Sequence, residues 1–215
     1  MKPVKPRVKI NTLYGESDGY QQKRIKQTLT KALNAHPRTA LIRFDLRFPL
    51  GNVVYRDDAE VITRFFKSLN EKFPVYLKKR AERGVRVHNS ELRYLWVREF
   101  NKVGGKHYHI CLLVNLDTVC YVKAFETDNG SFYTMVADAW LSATGLDNIR
   151  YRRLVHIPKN PVYKLYKSGL EESGIDDFYK TISERIDYLI KNRQKQSGDG
   201  ARNFGCSQKL SLIHI

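Results

Sequence analysis

Two histidines separated by a single residue are the most informative feature of the chain. His107 and His109 flank Tyr108 at the start of the segment 107–115, HYHICLLVN, whose composition predicts a β-strand. Side chains two residues apart on a strand point to the same face, so the two imidazoles should converge. Two converging imidazoles supply two of the ligands that a metal site requires. A strand face that is merely polar is the ordinary alternative.

A third ligand is available from the preceding segment. Residues 92–100, LRYLWVREF, also predict a strand, and the two glycines within 101–106 predict a hairpin between the two strands. An odd-numbered loop, such as 103–105, would place Glu99 opposite His109 on the same face. An even-numbered loop without a bulge would turn Glu99 to the other face and remove it from the site.

Two interpretations of Glu99 follow from its chemistry. A carboxylate within an apolar strand is costly to leave alone, so Glu99 either forms a salt bridge with Arg93 or Arg98 or completes a His-His-carboxylate set. Mixed nitrogen and oxygen ligands suit a divalent metal ion such as Mg²⁺ or Mn²⁺ and leave positions open for phosphate oxygens. The pattern therefore predicts a metal site of His107, His109 and Glu99 that polarises a phosphate.

A polarised phosphate still requires a nucleophile, which can be water or a tyrosine that forms a covalent intermediate. The pattern Tyr-x-x-Lys begins at Tyr20, Tyr76 and Tyr188. Tyr76 lies on the apolar stripe of its helix, whereas Tyr188 lies about 120° from the centre of the stripe of the last helix. Lys191 and Lys195 follow Tyr188 on the same side of that helix, where cations favour a phenolate and hold phosphate. The alternative for Tyr188 is an exposed or interface tyrosine.

The charge of the chain indicates the class of partner. The 215 residues include 38 Lys and Arg against 22 Asp and Glu, a formal net charge of +16, which predicts a polyanion such as nucleic acid. A charge that only aids solubility is the alternative. We expect no membrane partner, because no apolar run approaches the roughly 18–20 residues that span a bilayer. Three cysteines without metal-ligand spacing and no secretory h-region favour a cytoplasmic protein.

The remaining pattern predicts the elements that position these residues. Helices are expected over 20–34, 57–83, 132–144 and 175–194, and strands over 40–48, 92–100, 107–115 and 150–157. This order predicts an α+β fold in which helices pack on a central antiparallel sheet. Strand 40–48 alternates, so we expect one buried face, of Ile42, Phe44 and Leu46, with Asp45 on the other. His156 lies in a strand that ends at Pro158, where a core or surface histidine is the ordinary interpretation, and it is not taken as a ligand.

The organisation expected is a basic arm, a single domain and a tail. The arm covers residues 1–18, the domain 19–195, and a polar C-terminal tail 196–215. No phosphate-binding loop of the GxxxxGK[ST] type is present in the sequence, which argues against an ATPase or helicase.

Cations interleaved with aromatic rings predict the nucleic-acid surface, because a single strand requires both a charged groove and stacking platforms. The candidates are Lys23, Arg24, Lys106, Arg152, Arg153, Tyr163, Lys164, Lys167 and Lys195. A solvated basic face is the alternative for each of these segments.

Taken together, these residues resemble the HUH endonuclease superfamily, and more narrowly the inovirus-type, YagK/YfjJ-like replication initiators of phages and prophages. The stretches TALIRFDLRFP, WVREFNKVGGKHYHICLLVN, ERIDYLIKNRQK and RNFGCSQ carry the resemblance, which covers roughly residues 35–210. It implies an HUH/RRM-like palm and a rolling-circle initiator with one motif tyrosine rather than two.

The resemblance also implies roles for the candidate residues. Tyr188 would attack single-stranded or cruciform origin DNA, form a 5′-phosphotyrosine link and free a 3′-hydroxyl for a polymerase. His107, His109 and Glu99 would hold the divalent ion, and Lys191 would assist the tyrosine. Because the sequence shows no helicase domain, a host helicase and polymerase in the bacterial cytoplasm would be the partners.

Two other functions stay open at the level of sequence. A prophage DNA-binding regulator without cleavage would need the basic surface but neither the histidine pair nor Tyr188. An RNA-binding module on a similar sheet would need exposed aromatic rings on central strands, for which Tyr94, Trp96 and Tyr108 are the candidates.

Overall fold

The computed structural model describes residues 9–12, 15–101, 104–119, 125–127, 129–190 and 199–207, with the backbone alone within 9–18 and at 183–185 and 187–190. Its elements run in the order β1 (Lys9–Thr12), β2 (Gly15–Asp18), α1 (Gly19–Ala35), β3 (Arg38–Arg47), α2 (Val61–Glu82), β4 (Arg93–Phe100), β5 (Lys106–Asn115), α3 (Leu116–Val119), α4 (Phe132–Thr144), β6 (Val155–His156), β7 (Val162–Tyr166), α5 (Lys167–Ile190) and β8 (Phe204–Cys206).

A six-stranded antiparallel sheet lies at the centre, and helices cover both of its faces. The strand order is β6-β3-β5-β4-β8, and β7 pairs with the first half of β3 while β6 pairs with its second half. β1 and β2 form a separate two-stranded sheet. This architecture confirms the α+β prediction of helices packed on a central antiparallel sheet.

The two faces of the sheet bury different cores. On one face, α2 and α4 cover residues such as Phe44, Tyr108 and Ile110. On the other, α1 and α5 cover residues such as Val97 and Cys111. Burial on both faces explains the continuous apolar stretches 40–42 of β3 and 110–114 of β5. The expectation of a single buried face for β3 was therefore wrong, and Asp45 lies at the buried end of the second face.

Burial of the central aromatic rings bears on the RNA-binding alternative. Trp96 and Tyr108 are buried beneath α2 and α4, and Tyr94 stacks on Phe66 with 3.6 Å between ring centroids. The sheet therefore does not present these rings as an exposed stacking platform.

Three element boundaries differ from the sequence expectation. Residues 149–154 form a 3₁₀ helix rather than a strand, because the Asn148 side chain accepts the backbone N–H of Arg150 at 2.9 Å and caps the turn. α5 begins earlier than expected, and Gly174, with φ 70° and ψ 166°, divides it into two helical stretches. α2 begins at Val61 rather than at residue 57 and continues through Pro74.

The end of the described chain returns to the sheet. Residues 204–206, which lie within the segment expected to be a polar tail, pair with β4 as the edge strand β8. In the part of the chain described by the structure, no helix is both long and apolar enough to cross a membrane.

Candidate metal centre

The β4–β5 hairpin brings Glu99 to the face that carries both histidines. Glu99 pairs with His107, and Val97 pairs with His109. The odd-numbered connection that this face requires is present, but the expected pairing of Glu99 with His109 was wrong by two residues. The reason is that Asn101 closes the turn early, since its N–H donates to the Gly105 carbonyl at 3.0 Å.

The three side chains converge on one point. His107 Nε2 lies 3.2 Å from His109 Nε2, which lies 3.2 Å from Glu99 Oε2, and the third separation, His107 Nε2 to Glu99 Oε2, is 3.8 Å. A point equidistant from these atoms lies about 2.0 Å from each, which is the length of a bond from a divalent metal to nitrogen or oxygen. The donor set therefore fits a small divalent ion.

Burial strengthens this fit. Glu99 is 3 % exposed and His109 is 5 % exposed, so the carboxylate has little access to water. The salt bridges expected from the alternative interpretation are absent among the described residues, because Arg98 pairs with Asp199 and Arg93 pairs with Glu91. A buried carboxylate that faces imidazoles requires a cation to balance its charge.

Asp45 orients one of the two ligands. His109 Nδ1 lies 2.6 Å from Asp45 Oδ1 and donates its proton there, which leaves Nε2 as the ring nitrogen that faces Glu99 and His107. On the neighbouring strand β6, His156 Nδ1 lies 3.4 Å from Asp45 Oδ2. Pairing of β6, β3 and β5 sets His156, Asp45 and His109 side by side in one row across the sheet.

Burial and neighbouring charges shift the pKa values of three groups of the centre. Burial works to raise the pKa of Asp45, but the hydrogen bond from His109 and the charges of His109, Arg43 and His156 outweigh it and lower that pKa to about 2. Burial, helped by the charge of His109, lowers the pKa of His107, so its imidazole is neutral at pH 7, as a ligand must be. Burial also opposes the charge of His109, but the hydrogen bonds to Asp45 and Glu99 dominate and raise its pKa, so a metal ion that binds Nε2 displaces a proton from it.

Asp45 and His156 belong to the centre but were not predicted from the sequence as parts of it. The signal for Asp45 was present as a carboxylate between Arg43 and Arg47 on one face of an otherwise apolar strand. No comparable signal exists for His156, since the pairing of a two-residue strand cannot be inferred from its sequence.

The centre lies on the wall of a cleft of about 850 Å³ at one end of the sheet. The segment that follows β3 forms another wall, where Phe48 and Tyr55 stack with 5.4 Å between ring centroids. Four cations and four carboxylates line the cleft, namely Arg43, Arg47, Arg98, Lys106, Asp45, Asp57, Glu99 and Asp199.

α5, which carries Tyr188, packs on the same face of the sheet as the centre. Phe178 and Ile186 of α5 lie in the buried cluster that contains Val97, two residues before Glu99 on β4. The backbone of Tyr188 is part of α5, but its side chain is not among those described. Lys191 and Lys195 lie outside the described residues, so the roles expected for all three stay predictions.

The residues predicted to bind nucleic acid do not form one surface. Lys23 and Arg24 lie on α1, where Lys23 lines a shallow groove of the outer surface. Tyr163 and Lys164 lie on β7, and Lys167 begins α5, where it pairs with Glu171 at 3.3 Å.

Two of the residues predicted to bind nucleic acid instead bind other residues of the protein. Lys106 donates to the backbone carbonyl of Asp57 and lies 3.6 Å from its carboxylate. Arg152 binds Asp138 with two hydrogen bonds, of 2.6 and 2.9 Å, which fasten the 3₁₀ helix to α4. Its neighbour Arg153 is exposed.

The sequence of the chain matches a family of known proteins. The model of the YagK/YfjJ C-terminal domain matches residues 5–207. The chain is 32 % identical over 204 residues to Escherichia coli K12 YfjJ, across 91 % of this chain and 97 % of that protein. It is 32 % identical over 194 residues to YagK of the same strain, across 87 % and 91 % respectively. Both relatives are described as uncharacterized, and no solved structure matches. The chain belongs to the YagK/YfjJ family.

Proposed function

We propose that the protein is a metal-dependent endonuclease of the HUH type, which nicks and rejoins single-stranded DNA and initiates rolling-circle replication. The observation that carries the proposal is the convergence of Glu99, His107 and His109 inside a cleft, with ligand atoms 3.2 to 3.8 Å apart, which suits one bound metal ion. The formal net charge of +16 supports a polyanionic substrate.

The three ligands would hold Mg²⁺ or Mn²⁺. When bound, such an ion supplies positive charge to the oxygens of the scissile phosphate. Asp45 keeps His109 in the tautomer and orientation that ligation requires, and Lys106 fastens the wall of the cleft through Asp57.

Tyr188 would supply the nucleophile. Its phenolic oxygen forms a bond to phosphorus as the bond from phosphorus to the 3′ oxygen breaks, leaving a 5′-phosphotyrosine and a 3′-hydroxyl. The phenolic proton passes to solvent, and the leaving oxygen takes up a proton. Attack by a 3′-hydroxyl on the phosphotyrosine reverses these bond changes and joins two ends. The packing of α5 on the face that bears the histidines supports this assignment.

The dimensions of the cleft favour a single strand over a duplex. A cleft of about 850 Å³ accommodates a few sugar, base and phosphate groups of one extended DNA strand. The stacked rings of Phe48 and Tyr55 offer an aromatic surface beside the metal ligands. Origin DNA would therefore be single-stranded or extruded as a cruciform, and unwinding and synthesis would fall to a host helicase and polymerase.

The proposal is tested by incubating the protein and Mn²⁺ with a labelled pool of single-stranded oligonucleotides. We expect a covalent adduct that survives denaturing electrophoresis, and we expect Tyr188→Phe to abolish it. Tyr20→Phe is the matched control, because Tyr20 has the same Tyr-x-x-Lys pattern on α1 and is exposed.

The possible outcomes of this experiment distinguish the nicking enzyme from the non-catalytic regulator. Absence of an adduct from the wild-type protein, or an undiminished adduct with Tyr188→Phe, would overturn the catalytic proposal. Tight DNA binding without any adduct would favour the non-catalytic regulator instead.

A further inference from the structure

Arg47 lies beside the metal centre although no motif pointed to it. It is the last residue of β3 and pairs directly with His107 on β5. Residues opposed on neighbouring strands share a face, with Cβ atoms about 4.5–5.5 Å apart. The side chain of Arg47 is exposed and lines the cleft.

The other cations of the cleft each have a carboxylate partner. Arg43 lies 3.4 Å from Asp45, and the remaining pairs are Arg98 with Asp199 at 2.7 Å and Lys106 with Asp57 at 3.6 Å. Arg47 forms no ion pair with any residue that the structure describes. It therefore contributes an uncompensated positive charge next to a metal ligand.

The backbone of Arg47 is fixed by the core. The indole N–H of Trp140, a fully buried residue of α4, donates to the Arg47 carbonyl at 2.8 Å. The exposed guanidinium thus extends into the cleft from a rigid position at the end of a central strand. A fixed base reduces the entropy lost when a long side chain binds a ligand.

We propose that Arg47 is the phosphate-binding residue of the metal centre. Its guanidinium donates two parallel N–H bonds to non-bridging oxygens of a DNA phosphodiester held at the Glu99, His107 and His109 site. The planar fork of arginine matches phosphate in geometry and charge. Since negative charge accumulates on these oxygens as the nucleophile attacks, Arg47 stabilises the transition state more than the bound strand. This inference rests on the proposed function for its substrate.

The first test measures binding and needs no cleavage. Thymidine 3′,5′-bisphosphate is titrated, with Mn²⁺ present, into wild-type protein, Arg47→Gln, Arg47→Lys and the control Arg86→Gln, which removes an equal charge from an exposed residue outside the cleft. We expect Arg47→Gln to weaken binding about 10- to 100-fold, Arg47→Lys to restore part of it, and Arg86→Gln to change it less than about two-fold.

The second test measures the rate of adduct formation at the nick site mapped with wild-type protein. We expect Arg47→Gln to slow the single-turnover rate by about 10²- to 10³-fold while the affinity for the oligonucleotide falls much less. Thermal unfolding of each variant confirms that the fold is intact.

The two tests distinguish failure of the phosphate site from failure of the nicking function. Bisphosphate binding that is absent, or equally weakened in Arg47→Gln and Arg86→Gln, overturns the phosphate site. Equal adduct rates for wild-type protein and Arg47→Gln also overturn it while the nicking function stands. Arg47-dependent bisphosphate binding without any adduct supports the phosphate site and overturns the nicking function.

Discussion

Arg98 and Glu99 are neighbours on β4, each 3 % exposed, yet their charges are compensated in opposite ways. The Arg98 guanidinium donates to Asp199 at 2.7 and 2.9 Å and to Asn203 and the Ala201 carbonyl at 2.8 to 3.2 Å. Among the described residues, the Glu99 carboxylate instead faces only the imidazoles of His107 and His109.

This difference distinguishes a buried charge that stabilises the fold from a buried charge that is available to bind a ligand. The Arg98 cluster, meaning Arg98 with Asp199, Ala201 and Asn203, is saturated and fastens the segment before β8 to the sheet. In the metal centre, three potential ligand atoms instead converge on one point. A saturated buried ion has nothing left to bind, whereas the centre binds a cation at the cost of little rearrangement.

Substitution of Glu99 tests the difference between the two sites with the largest expected effect. We expect Glu99→Gln to weaken Mn²⁺ binding by about 10³-fold, because the negative ligand is lost, and to leave the free energy of unfolding of the metal-free protein unchanged or increased. Calorimetric titration with Mn²⁺ and urea unfolding in a chelator measure the two quantities. A variant that binds Mn²⁺ like the wild type would show that Glu99 is not a ligand.

The reverse pattern is expected at Arg98. Arg98→Met removes the donors of the cluster, and we expect the free energy of unfolding to fall by about 3 kcal/mol. Mn²⁺ affinity of the folded variant should stay within about three-fold of wild type, because Arg98 points to the other face of β4. A large loss of metal affinity in a well-folded Arg98→Met variant would contradict the separation of the two roles.

A smaller effect is expected from the residue that orients the ligand. Asp45→Asn keeps the shape but weakens the hold on His109, so Mn²⁺ affinity should fall by about 10- to 100-fold. His156→Gln, on the far side of Asp45, is the matched control and should change the affinity little. Equal losses in both variants would mean that the whole row His156, Asp45 and His109 sets the geometry.

The smallest effect concerns pH. Hydrogen bonds from Arg98 and from the backbone N–H of Ala201 lower the pKa of Asp199 to about 2. Since a lowered carboxyl pKa stabilises the fold above the ordinary value of 3.8, the stability difference between wild type and Arg98→Met should be constant from neutral pH to about 4 and shrink as pH falls towards 2. Urea unfolding of both proteins across this range measures it, and a difference that grows on acidification would contradict the assignment.

Sequence patterns predicted the face of the hairpin but not its register. An odd-numbered connection, one of the two cases that the sequence left open, places Glu99 with both histidines whatever its length, because only the parity of the loop matters for the face. The register depended on the Asn101 turn, where the Asn101 side chain also accepts the Gly105 N–H at 2.7 Å. Side-chain capping of this kind leaves no signal in the alternation of apolar and polar residues along a strand.

The rest of the site depends on contacts between distant segments. Asp45 is buried on the face of β3 expected to be exposed, where it lies between His109 of β5 and His156 of the two-residue strand β6. β8 has three residues, and its place in the sheet rests on the Arg98 cluster rather than on its own propensity. Short elements of this kind carry too little sequence signal to be predicted.

The central claim is that Glu99, His107 and His109 bind one divalent ion. Electron paramagnetic resonance of the protein with one equivalent of Mn²⁺ tests it directly, through the coupling of the metal to imidazole nitrogen. We expect couplings from two imidazoles in the wild type and from one in His107→Gln. A spectrum without imidazole coupling, or with the same two couplings in His107→Gln, would contradict the claim.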